Sequence, residues 1–116
     1  MAPPGVRRLS ETSYLADASL PVDEFGRAFE LPSEESRVNT VGGLIGQMLD
    51  RIPQRGDQVF IGSAVMTVMS MRRRRILEVR LDLKEPPSNN PHLLMLQEAS
   101  RPRGHRSEPS EKGGKP

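Results

Sequence analysis

The sequence contains no cysteine and no tryptophan, one tyrosine, three phenylalanines and two histidines. Without cysteine there is no disulfide, no thiol nucleophile and no thiolate metal site, a pattern that fits a reducing compartment. His92 and His105 both fall outside the segment expected to form the core, so a histidine-ligated metal is not expected. No apolar run approaches the roughly 20 residues that cross a bilayer. The opening MAPPGVRRLS lacks the apolar middle of a signal peptide. These absences together point to the cytoplasm. With aromatics at 3 %, the core must be small and aliphatic.

Excess charge of one sign is scarce too. The net charge is +2. Residues 8–83 hold ten arginines, no lysine and eleven acidic residues, a balance of −1. So small an imbalance leaves no electrostatic footprint for nucleic acid. The 11 prolines and 10 glycines gather at the ends and in turns, which confines the expected folded body to residues 8–83, between disordered ends at 1–7 and 84–116. A body of that size buries roughly 60 % of the surface its unfolded chain exposes. A second copy, a partner or a parent protein is therefore expected to complete it.

What is present is a short succession of periodic segments. Leu9–Ala16 reads as a strand, with Tyr14 at the edge of the core. Ser19-Leu20-Pro21 opens a short helix, Pro21–Phe29, with proline in the first helical position. Asp23 and Glu24 then suit its positive N-terminal end. Adjacent carboxylates on a helix point apart, so this pair reads as capping rather than acid–base or metal chemistry. Val22, Phe25 and Phe29 share a face. Glu34–Glu35 reads as solvated surface. Asn39 or Thr40 caps a second helix running to about Asp50, whose Val41, Leu44, Ile45, Met48 and Leu49 follow a 3.6-residue period. Its glycines 42, 43 and 46 weaken it and imply close packing against another backbone.

Ile52–Asp57 is a turn, followed by strands at Asp57–Ile61, Ala64–Met71 and Ile76–Leu83. The middle one is apolar on both faces and reads as a central strand. The last alternates cleanly, with Leu77, Val79, Leu81 and Leu83 on one side. The expected fold is α+β: a small two-layer sandwich in the order β-α-α-β-β-β, its mostly antiparallel sheet covered by two short helices. Its expected core comprises Phe25, Phe29, Leu44, Ile45, Met48, Leu49, Ile52, Val68, Leu77, Val79 and Leu81. Beyond it, His92–Ala99 is too short for a stable isolated helix; it folds back on the domain or acts as a docking peptide.

No nucleophile–base pair is legible, so an enzyme is not expected. Two stretches carry chemistry. The helix start at Thr40, Gly42 and Gly43 could present free N–H groups to a phosphate; the alternative function is thus nucleotide or flavin (FAD) binding. Arg72, Arg73, Arg74 and Arg75 form a basic hairpin tip, read either as solvated or as docking to an acidic partner.

The strings SYLAD (13–17), LPVDEF (20–25), TVGGLI (40–45) and RIPQRGD (51–57), with Met66-x-Val68 and Arg75-Ile76-x-x-Val79, resemble the CorC/HlyC transporter-associated domain over residues 8–83. Two positions depart from that pattern. Ala18 stands where the family often has glycine, and Met71-Arg72-Arg73-Arg74 stands where it usually has an Asp-Gly type turn. The resemblance implies a non-enzymatic module that modulates magnesium, cobalt or other cation transport, as the cytoplasmic end of hemolysin-like membrane proteins with a CBS pair. No resident cofactor is implied, although the fold is similar to a small FAD-binding domain. The implied partner is a membrane transporter, a CBS-domain protein or a second copy, at the inner face of the cell membrane.

Overall fold

The computed structural model describes residues 5–31 and 38–99. The expectations for the first four residues, for Glu34–Glu35, and for His105 and the rest of the tail from residue 100 lie outside them. Eight elements are formed: β1 (Val6–Arg8), β2 (Ser13–Asp17), α1 (Val22–Phe29), α2 (Val41–Leu49), β3 (Gln58–Ile61), β4 (Ala64–Arg72), β5 (Arg75–Asp82) and α3 (Pro91–Ala99). The strands make one open antiparallel sheet in the order β1-β2-β5-β4-β3. The α+β class and the predominantly antiparallel pairing are as the sequence leads one to expect.

Each helix boundary has a local cause. Pro21 has extended backbone and stands just before α1, one residue earlier than expected. Thr40 caps α2, its Oγ1 accepting from the Gly43 N–H at 3.1 Å. Glu30 and Asp50 end the two helices in left-handed conformation. The two helix starts are laced together: Val22 N–H donates to the Asn39 carbonyl at 2.8 Å, and Val41 N–H to the Leu20 carbonyl at 2.9 Å.

The core lies between the sheet and the helices. Phe25, Ile45, Val41, Met66, Val68, Val79 and Leu81 are fully buried, with Phe29 and Leu44 nearly so. Tyr14 meets Phe29 edge to face at 4.9 Å, and Phe25 meets Phe29 at 5.0 Å, so three of the four aromatics form one cluster. The α2 stripe is buried only over its first two turns: Leu49 is half-buried and Met48 is exposed. Helical spacing decides which residues share a face; the extent of sheet beneath that face decides how many are covered. Ile52 is exposed as well, in the loop after the helix.

Two elements correct the expected boundaries. Residues 6–8, counted partly with a disordered start, form β1, which pairs with β2 and buries Val6 completely. The stretch expected as tail holds a third helix, α3, packed on α1 and β1 with Leu93 and Leu96 buried. Asn90 fixes its start: its Oδ1 accepts from Leu93 N–H at 2.9 Å, while its Nδ2 donates to the Ala28 carbonyl at 3.0 Å. Tertiary packing supplies what so short a helix lacks alone.

A third correction concerns register. Val68 pairs with Val79, Ser70 with Glu78, and Met71 with Ile76. Between the first two pairs β4 advances two residues while β5 advances one, so Met69 is extra. In the next step β5 carries the extra residue, Leu77. These offset bulges reverse the inward–outward parity at the hairpin end. Ile76 takes the buried position and Leu77 turns out, 39 % exposed.

Candidate functional site

The β4–β5 hairpin ends in a two-residue turn whose first residue, Arg73, has a left-handed φ of 59°. Arg72–Arg75 are all exposed. Among the described residues none of the four guanidiniums has a carboxylate within 4 Å; the ion pairs are Arg51–Asp57 and Arg80–Asp82. The expectation of a basic, solvent-facing tip is met in position.

The tip does not stand alone. It forms one wall of an open hollow of about 1250 Å³, whose floor is α2's glycine face. A hydrogen-bonded relay brings the two together. Ala18 N–H donates to the carbonyl of bulged Leu77 at 2.9 Å, and Gly42 N–H donates to the Ala18 carbonyl at 2.9 Å. A Cβ on Gly42 would lie 3.1 Å from Ala18 Cβ and 3.3 Å from its carbonyl oxygen. The glycine thus fits a close approach of helix and backbone, as its place in the helix implies, and a side chain there would have to push Ala18 back.

That geometry removes the basis of the phosphate reading at Thr40, Gly42 and Gly43. The N–H groups of Val41, Gly42 and Gly43 are bonded to Leu20, Ala18 and Thr40. The donors that would hold a phosphate of FAD or a nucleotide are already engaged within the fold. Recognition in this hollow falls to side chains: four arginines on one wall, with Asp17, Ser70 and Glu78 at other points of the lining. Asp17 is turned to local work, accepting from Ser19 N–H at 2.8 Å and Ser19 Oγ at 2.6 Å.

The string Arg51–Asp57 builds structure. Asp57 takes two hydrogen bonds from the Arg51 guanidinium, both 2.8 Å, and one from Gln54 N–H at 2.7 Å. The Arg51 bonds foremost, then the Gln54 N–H, hold its carboxyl below the ordinary aspartate value of 3.8. Gly56, at φ 96°, donates to the Val68 carbonyl and docks the clamped loop on β4. Ser13, Arg80 and Asp82 form a second polar knot, with Ser13 Oγ donating to Asp82 at 2.6 Å. It holds β2 to β5. Among the described residues no three acidic, histidine or cysteine side chains converge as metal ligands.

Sequence reasoning identified the arginine tip and the glycine helix as separate features. Its local signals could not show that they share a hollow. That follows from β2 pairing with β5 across more than sixty residues of chain and from the bulge at Leu77.

A five-stranded antiparallel sheet with helices and a hollow beside one hairpin tip describes a small α+β domain. The profile of the CorC_HlyC family, described as a transporter associated domain, matches residues 7–85, and the chain belongs to that family. The magnesium and cobalt efflux protein CorC of Pasteurella multocida is 26 % identical over 80 residues, covering 69 % of this chain and 27 % of that protein. The chain thus spans about a quarter of that relative. A CorC transporter-associated region from Neisseria meningitidis has the same fold, at TM-score 0.64 and 24 % identity, over 68 % of this chain and 98 % of the other. So does the transporter associated domain of a CBS domain protein from Porphyromonas gingivalis, at TM-score 0.61 and 23 % identity, over 68 % and 97 %.

Proposed function

We propose that this chain is a non-enzymatic regulatory and interaction module that acts on magnesium or cobalt efflux by binding another protein. The observation that carries the reading is the family match across residues 7–85, together with the efflux function in the name of the Pasteurella relative. The polar clusters of the described residues serve the fold: Arg51 with Asp57 closes a loop, and Ser13 with Arg80 and Asp82 joins two strands. Among the described residues no helix is long and apolar enough to cross a membrane. The module would work from the cytoplasm, reaching the inner face of the membrane through a transporter or CBS-domain partner. Nothing favours FAD, since the helix-start donors it would need are engaged.

The test is genetic. Deleting the codons for residues 7–85 in the host should change cobalt tolerance and cellular magnesium content. Restoring the segment in trans should reverse both. A deletion strain indistinguishable from its parent across a cobalt series would end the transport reading.

A further inference from the structure

The arginine tip poses an energetic question that the fold does not answer. Four consecutive guanidiniums repel one another, none has an acidic neighbour within 4 Å among the described residues, and Arg73 occupies a left-handed conformation that disfavours a branched-out side chain. Arg51 and Arg80, by contrast, are each paired with an aspartate. Among the described residues the four guanidiniums of Arg72–Arg75 are thus left open to an acidic ligand.

The hollow restricts what can bring it. At about 1250 Å³ it exceeds the roughly 300–1,000 Å³ typical of small-molecule pockets. Its lining includes Gly42, Gly43 and Gly46, and the floor is open at Gly46, where a Cβ would meet nothing closer than Pro53 at 4.0 Å. Ile76 and Leu77 add apolar surface next to the arginines. Such a floor lets a polypeptide backbone approach closely and gives an apolar side chain somewhere to sit. A bilayer fits less well. The hollow is concave, and it also contains the carboxylates of Asp17 and Glu78, which a uniformly anionic surface would repel. A peptide can turn its N–H groups to those carboxylates while its own acidic side chains meet the guanidiniums in bidentate pairs.

We propose that this hollow is the docking groove for an extended acidic and apolar segment of a protein partner. Carboxylates engage Arg72–Arg75 and an apolar side chain rests over Gly46. The inference rests on the interaction-module reading and specifies the chemistry of the partner.

The test uses the full chain and a dye-labelled peptide of about eight residues alternating glutamate and leucine, long enough when extended to cross the groove. Fluorescence polarisation should detect binding that weakens as salt rises. The double substitution Arg73→Gly with Arg74→Ser should weaken it by about tenfold or more. Arg73→Gly relieves the left-handed arginine, so the melting temperature should hold or rise, and lost affinity then cannot be ascribed to lost fold. Gly46→Leu should block the groove with the charge intact. Equal affinity in all three proteins, no binding by the parent, or recruitment to phosphatidylserine vesicles in place of the peptide would each overturn the proposal. In the host, a normal cobalt response from the doubly substituted chain, where deletion of 7–85 alters it, would reject the groove and leave the transport reading standing.

Discussion

Two helical glycines sit in opposite surroundings, and alanine should separate them. Gly42 faces Ala18 at 3.1–3.3 Å from where a Cβ would be, whereas Gly26 has nothing within 4 Å. Gly42→Ala must displace a backbone carbonyl that accepts the helix's own N–H, and should cost about 1–3 kcal/mol. Gly26→Ala should stabilise α1 by up to about 1 kcal/mol. Urea titration of the two variants beside the parent measures both, and shifts of the same sign would contradict the packing described. Asp57 gives a prediction in pH. Its carboxyl is held below 3.8 by Arg51 first and Gln54 second. A carboxyl lowered on folding contributes stability that is fully present above its unfolded value and is lost as pH falls through the folded one. Asp57→Asn should therefore melt below the parent at neutral pH, and the gap should close as the pH drops under 3.8. A gap constant across that range would mean that the clamp does not depend on the ionised carboxylate.

At the scale of the element, the β4–β5 hairpin makes the sharpest claim, because its side-chain order differs from simple alternation. Counting by twos from Leu83 puts Leu77 inside with Val79 and Leu81. The bulges put Ile76 there instead. Ile76→Ser should cost about 2–4 kcal/mol, with Leu77→Ser costing well under half of that. Thermal melts of the pair decide it, and a larger loss at Leu77 would restore plain alternation. This is also where legibility in the sequence ends. Helical period, proline at the start of α1 and threonine before α2 were readable because the forces concerned act within a few residues. Phe25, Leu44, Val68 and Val79 were readable as core for the same reason. Bulges depend on how two strands slide into register, and Met69 and Leu77 look like ordinary strand residues. The shared hollow was hidden for a related cause: its walls meet only once β2 has paired with β5. The idle-donor reading of Thr40, Gly42 and Gly43 failed because Gly43 N–H is taken by the Thr40 cap itself, while Val41 and Gly42 donate to Leu20 and Ala18 of another segment.

At the scale of the whole molecule, the two ends of the described chain close the same side of the body. Val6 from β1 and Leu93 and Leu96 from α3 are all buried, and α3 packs on both β1 and α1. Composition placed both segments in the polar, proline-rich ends; His92–Ala99 stood out there as a stretch that folds back or docks elsewhere, and the structure has it folded back, whereas Val6 gave no signal at all. Their burial nonetheless matters in a domain this small. Sequestering Leu93 and Leu96 gains about 1.5–3 kcal/mol each, set against the entropy of ordering a nine-residue helix, and total stabilities run to only about 5–15 kcal/mol. A net loss of about 1–2 kcal/mol moves the midpoint of a domain of this size by roughly 4–16 °C. The helix carries its own control, since Leu94 and Met95 are 51 % and 64 % exposed on its other side. Leu93→Ser with Leu96→Ser should lower the melting temperature within that range and leave a single cooperative transition, because the sheet and α2 remain. Leu94→Ser with Met95→Ser changes hydrophobicity just as much and should leave the midpoint where it was. If both pairs melt with the parent, α3 adds nothing to the body. If both fall together, its contribution is not the buried face but the helix as a whole, and the docking on α1 through Asn90 would be its sole anchor.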